Sequence, residues 1–209
     1  MEFRELLPKR RMTRHYRPEP VAREVVERVV GTVRRAPSAG YSQGQRLLVI
    51  TEDEARAELV RIATSGWAAS EEGLEPWVES APVHVLVCTR EADYHDRYRQ
   101  DDKLVDGAEI EWPVPFWHVD AGAALMLILL AAIDEGLAAG LSGVPLETAA
   151  ELRSAFGIPE DVTIVAHVTI GVPAPDPGWS AVTSRATKPR RTPAEIVHWE
   201  RWAPGSGTG

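Results

Sequence analysis

Residues 120–136 read DAGAALMLILLAAIDEG, from Asp120 to Gly136. Between Ala121 and Ile133 there is no charged side chain, so a helix here has no polar face and must be covered on several sides. Asp120 is suited to cap such a helix over about 121–135, and Gly136 to stop it. The helix is either the centre of the core or part of an interface between two chains. Its apolar run is shorter than the ~20 residues of a membrane span, so no membrane segment is expected.

Outward from it, Leu137 to Val144 is a strand or loop of small residues with little side-chain bulk. Residues 145–156 read as a helix closed by Gly157, and Val162 to Gly171 (VTIVAHVTIG) as a strand. Upstream, residues 91–117 are polar and aromatic with weak periodicity, the pattern of a long functional connection. Pro82 to Cys88 is a second β-branched run, residues 53–64 resemble a helix, and Arg46 to Thr51 reads as a short buried strand. Val21, Val25, Val29 and Val33 recur every fourth residue, which predicts an amphipathic helix over 21–35 entered through Pro20. Ala36-Pro37-Ser38-Ala39-Gly40 ends it as a loop. Beyond Pro173 the chain reads as an extended tail, with residues 203–209 disordered. Helices and strands interleave without regular alternation. That pattern predicts an α+β domain over 1–202, a mixed sheet flanked by helices.

With 209 residues, 44% apolar and 26% charged, the chain has the balance of a soluble globular protein. The single cysteine, Cys88, excludes an internal disulfide and a cysteine-based zinc cluster. A net charge of −8 argues against general affinity for nucleic acid. The N-terminal stretch lacks the apolar segment of a signal peptide, so a cytoplasmic setting is expected. None of GxGxxG, the Walker loop, HExxH or GxSxG occurs, and the six histidines form no HxH or HxxxH pair, so no metal site is expected. No side chain presents itself as a catalytic acid, base or nucleophile. An enzyme built this way would take its chemistry from a cofactor.

Charge is unevenly spread. Arg4, Lys9, Arg10, Arg11, Arg14 and Arg17 face only Glu5 in residues 4–17, and Arg185, Lys188, Arg190 and Arg191 share a stretch without acids. Either these are two separate basic patches, or they converge on one anion such as a phosphate.

Three local patterns occur together: Arg10-Arg11-Met12-Thr13-Arg14, then Pro37-Ser38-Ala39-Gly40-Tyr41-Ser42-Gln43, and Arg190-Arg191-Thr192-Pro193. In this order and spacing the chain resembles the FMN-dependent nitroreductase family from about residue 4 to 202. The resemblance implies a homodimer with two FMN molecules at the subunit interface, so that the buried helix lies at that interface. It assigns Arg10, Arg11 and Arg14, with Met12 where a serine is common, to the FMN phosphate and ribityl chain. Arg191, with Arg190 beside it, reaches the same phosphate. Pro37, Ser38 and Ala39, with Gly40 and Ser42, lie against the flavin held by the other subunit. Leu141, Ser142 and Gly143 meet the ring edge near N5, where a backbone N–H can steer hydride transfer.

Tyr41 stands where many relatives carry Asn, and Gly44-Gln45 where they carry Pro-Trp. Tyr41, Trp112, Phe116 and Trp117 are candidates to sandwich a planar substrate, although the aromatics of 91–117 could equally cover the core or the dimer seam. The implied activity is transfer of hydride from NAD(P)H through FMN to a small aromatic acceptor, such as a nitroarene or quinone. Reductive dehalogenation or natural-product dehydrogenation on the same fold, or flavin binding without turnover, are the alternatives.

Overall fold

The three β-branched runs and the small-residue stretch become four strands, β1 (Gln45–Ile50), β2 (Val83–Arg90), β3 (Ala138–Ser142) and β4 (Val162–Gly171). The computed structural model, which describes residues 2–65, 77–175 and 189–202, joins them in the order β1-β2-β4-β3. Every ladder among them is antiparallel, so the described strands do not show the mixed pairing expected. Val87 pairs with Ala166 but Cys88 with Ile164, so Val165 is an extra residue that bulges β4. Among the described residues, six helices precede or connect the strands: α1 (Phe3–Lys9), α2 (Arg23–Gly31), α3 (Asp53–Thr64), α4 (Ala92–Tyr98), α5 (Phe116–Asp134) and α6 (Leu146–Phe156). The valine helix, expected over 21–35, starts two residues later and is α-helical only over Arg23–Gly31, and Thr32–Arg35 tightens into a 3-10 turn.

The sheet is covered on both faces. On one, Val83, Val85 and Val87 of β2 meet Ile128, Leu129 and Ala132 of α5 and Val26 and Val29 of α2. On the other, Leu86 and Cys88 meet Leu59 and Ile62 of α3 and Ala149 and Leu152 of α6. This is why β2 reads as a nearly continuous apolar run. His84 interrupts it, and its Nδ1 lies 2.9 Å from Nε2 of His167 on β4. Burial pushes His84 down to about 3 and His167 down to about 4, so both rings are neutral at pH 7 and one N–H serves the other's lone pair.

Four expectations change. Asp120 is not a cap: α5 begins at Phe116 behind Pro115, and Asp120 sits buried inside the helix. The helix therefore has 19 residues and, by length and composition alone, is apolar enough to cross a membrane. Its packing on β2 and β4 marks it as the core helix, yet only 39% of its most apolar window is buried within one chain. Residues 91–98, expected as irregular connection, contain α4, whose polar and aromatic composition hid its period. β1 is half-buried rather than buried, because it ends the sheet.

Met1–Ala174 and Pro175–Gly209 form two compact units. Arg185, Lys188 and the 203–209 tail lie outside the described residues.

Candidate functional site

The segment carrying the first three arginines is pinned to the free edge of the sheet. The Thr13 N–H donates to the Ala139 carbonyl at 3.0 Å, the Arg17 N–H to Val172 at 2.9 Å, and the Ala174 N–H to His15 at 3.0 Å. Gly140 permits this approach, since a Cβ there would lie 2.3 Å from the Thr13 carbonyl oxygen. The buried Tyr16 hydroxyl closes the arrangement. It donates to the Thr13 carbonyl at 2.8 Å and lies 2.8 Å from Oγ1 of Thr169, which can donate in return. Burial lifts the Tyr16 phenol above its ordinary value of 10.0, so it stays protonated.

Two stretches singled out separately in the sequence, 10–14 and 137–143, thus meet side by side. Arg10 and Arg14 are half-buried and Arg11 and Met12 exposed. The Arg14 guanidinium stands 5.7 Å from the centroid of the Trp77 ring. None of these arginines forms an ion pair with a carboxylate of the described residues. An open groove of about 250 Å³ adjoins them, lined in part by Lys9, Arg11, Thr13, Gly136 and Leu137. Oγ1 of Thr13 is buried without a hydrogen-bond partner among the described residues. Leu141 and Ser142 are half-buried, and Gly143 is exposed with open space around its Cα.

The Pro37–Ser42 loop is built differently. Gly40, Tyr41 and Gln43 all have positive φ, of 60°, 62° and 54°. For the two non-glycine residues that conformation costs on the order of 1–3 kcal/mol each and needs outside support. Support comes from Asp120, whose Oδ2 accepts the Ala39 N–H at 2.8 Å and the Tyr94 hydroxyl at 2.9 Å. Nε of Arg97 donates to the Gly40 carbonyl at 3.0 Å, and the Gln43 N–H to Oγ of Ser38 at 3.0 Å. Tyr98 packs so closely that a Cβ on Gly40 would meet its ring at 2.5 Å.

Tyr98 in turn lies 4.5 Å from Trp112, which also meets Trp117 at 5.7 Å and Phe116 at 6.2 Å, centroid to centroid. Glu109 clamps this cluster, accepting from Nε1 of Trp112 at 2.7 Å and Nε of Arg99 at 2.9 Å, and bonding to His95. Of the four substrate candidates, Tyr41 is 77% exposed, Trp112 and Phe116 are half-buried, and Trp117 is buried. The 91–117 aromatics therefore both brace one another and border the loop.

The two regions lie toward opposite ends of α5: Asp120 holds the loop, while Ile133 lines the groove beside Arg11. At ~1.5 Å per helical residue they are about 20 Å apart in one chain. In the second unit, Arg190 and Arg191 are exposed just before the turn Pro193–Ile196, where the Thr192 N–H bonds to Glu195 at 2.7 Å. Exposed Ile196, Trp199 and Trp202 follow.

Sequence reasoning missed the supports: Asp120, Tyr94 and Arg97 for the loop, Tyr16 and Thr169 for the arginines. A carboxylate inside an otherwise apolar helix was the one available signal, and it was read as a cap.

Residues 7–172 match the nitroreductase family. The chain is 30% identical over 195 residues to the FMN reductase (NAD(P)H) of Bacillus subtilis strain 168, covering 90% of this chain and 69% of that protein. A solved nitroreductase family protein from Clostridium difficile 630 superposes with a TM-score of 0.68 at 25% identity, over 97% of this chain and 100% of that one. The NADPH:FMN oxidoreductase of Vibrio harveyi, solved with NAD+, shares the fold at a TM-score of 0.69 and 22% identity, covering 96% and 77%.

Proposed function

The chain belongs to the nitroreductase family, and from that premise we propose that it is an FMN-dependent oxidoreductase, carrying reducing equivalents from NAD(P)H to a small aromatic acceptor such as a nitroarene or quinone. The observation that carries this reading is the arginine segment, which has no ion-pair partner among the described residues, held against an edge strand rich in small residues. Uncompensated guanidinium groups fixed at one place are suited to a phosphate, which they grip through paired, charge-assisted hydrogen bonds. A flat ring needs backbone within reach and no bulky side chains in the way, which Ser142 and Gly143 offer, while the Leu141 side chain packs against the core. The donor set fits FMN.

In this reading Arg10 and Arg14, with Arg11 and Met12 beside them, hold the phosphate and ribityl chain, and Arg190 and Arg191 add to the same charge. Backbone N–H groups of 141–143 face the ring edge. FMN, when bound, supplies the two-electron chemistry that links NAD(P)H to the acceptor. The protein's part is to orient, to exclude water and to stabilise negative charge on the ring.

The reading takes residues 1–202 as one nitroreductase-like domain that works as a homodimer. Two features support a second copy: the incompletely covered apolar surface of α5, and the distance of about 20 Å between the two halves of the site. A partner's Pro37, Ser38, Ala39, Gly40 and Ser42 would then complete the flavin pocket, with Tyr41, Trp112 and Phe116 as an aromatic wall for the acceptor. Trp117 supports that wall from behind. A cytoplasmic setting supplies the reduced nicotinamide.

The test is an absorbance spectrum of the purified protein with and without added FMN, followed by NADPH under anaerobic conditions and then a nitroarene. Flavin absorbance that NADPH bleaches and the nitroarene restores is the expected result. A protein that gains no flavin absorbance at saturating FMN defeats the reading, and bound FMN that NADPH leaves unbleached makes it a binding protein instead.

A further inference from the structure

We infer that the Tyr16 hydroxyl is a positioning group for the phosphate-binding arginines, setting the preference for a phosphorylated flavin without touching the flavin itself. The inference rests on the FMN reading above. Its own basis is the bonding around one buried oxygen.

Arg10 to Arg14 carries adjacent positive charges that repel one another, and its side chains find no carboxylate among the described residues. Such a segment has little of its own to hold it in place. At its centre the backbone is fixed from two directions. The Thr13 N–H is taken by Ala139 of β3, and the Thr13 carbonyl receives the Tyr16 hydroxyl at 2.8 Å. Tyr16 is itself tied to β4, with Oγ1 of Thr169 at 2.8 Å and the Thr169 carbonyl at 3.2 Å. Gly140, between them in space, leaves room for this crossing and for nothing larger, with Thr13, Thr169 and Tyr16 all at 3.0 Å or less from where a Cβ would stand.

The phenol thus couples Thr13, which sits in a tight backbone crossing just before Arg14, to a central strand of the sheet. A hydroxyl with one proton and two lone pairs can donate to Thr13 and accept from Thr169 at once, and phenylalanine can do neither. Losing it frees the Thr13 peptide plane, and with it the directions in which Arg10 and Arg14 leave the backbone. The cost falls on recognition of the phosphate, whose bidentate geometry is directional, rather than on the flat ring.

The experiment measures binding of FMN and of riboflavin to the full chain by flavin fluorescence, together with thermal unfolding of the apoprotein. In the wild type FMN should bind more tightly than riboflavin. Tyr16→Phe should weaken FMN binding roughly tenfold while changing riboflavin binding less than about twofold. Thr169→Val should lower FMN affinity in the same sense by a smaller factor, and Thr169→Ser, which keeps the hydroxyl, should bind like the wild type. This series reads the proposal even if Tyr16→Phe folds poorly. Unchanged FMN affinity in Tyr16→Phe and Thr169→Val overturns it. Equal losses for FMN and riboflavin also overturn it, since they mark a general structural role. A wild type that binds the two flavins equally removes the phosphate reading itself, a result visible before any variant is made.

Discussion

The arginine segment beside β3 and the loop beside α4 are the two halves of one proposed site, and they are stabilised in opposite ways. In the loop, every strained or polar backbone group singled out above has an internal partner: Asp120 takes the Ala39 N–H, Arg97 the Gly40 carbonyl, and Ser38 the Gln43 N–H. In the arginine segment the backbone is tied down, but Arg10, Arg11 and Arg14 have no carboxylate partner among the described residues. A surface that only needs shape can be finished by its own protein. A surface that binds an anion must keep its cations unspent, and so remains incomplete until the ligand arrives.

The contrast is open to attack at several points. The largest effect is expected at Asp120, whose removal strands the buried Tyr94 hydroxyl and the half-buried Ala39 N–H. Asp120→Ala should cost about 2–4 kcal/mol in denaturant unfolding. A loss below ~1 kcal/mol would show that the loop is held by something other than this carboxylate. On the opposite side, Arg14→Ala should weaken FMN binding between about tenfold and a hundredfold while shifting apoprotein stability by less than ~1 kcal/mol. Arg191→Ala should move affinity in the same direction and by less. Unchanged FMN affinity in both variants would leave the basic stretches as separate patches.

Trp112→Ala removes the ring that joins Tyr98, Phe116 and Trp117. It should raise KM for a nitroarene severalfold, on the order of one aromatic contact, and leave FMN affinity intact. A parallel loss of FMN affinity would merge the two halves and break the comparison.

The smallest effect is a pH dependence in the Glu109 clamp. His95 is raised above its ordinary 6.5, first by its hydrogen bond to Glu109. Its stabilisation is therefore complete below that value and fades as pH rises through the raised one. Glu109 is held below its ordinary 4.5, first by the Trp112 hydrogen bond, so its share is lost only on acidification. Raising pH from about 6 to about 9 should cost less than ~1 kcal/mol and change tryptophan fluorescence, and His95→Gln should flatten that profile.

Much of the architecture was legible in periodicity. The helix over 53–64 and the strand over 162–171 sit where the pattern put them, because one has a clear amphipathic period and the other is made mostly of β-branched residues. Residues 91–98 were not legible, because Tyr94, His95 and Tyr98 turn toward aromatic neighbours and blur the line between polar and apolar faces. The candidate site shows the same division. Residues that present charge or small size to a ligand stand out as local motifs. Those that hold them, such as Tyr16 with Thr169 at a separation of 153 positions, leave no local trace.

The order of residues along the chain was enough to establish a layered α+β protein with an all-apolar helix, two basic stretches and a loop of small residues, since each of these is a matter of composition and short-range repeat. Which stretches meet was settled by folding alone. Thr13 lies against Ala139, and Asp120 under Ala39, because backbone hydrogen bonds and close packing reward contacts between positions far apart in the chain, and no local pattern encodes those pairings.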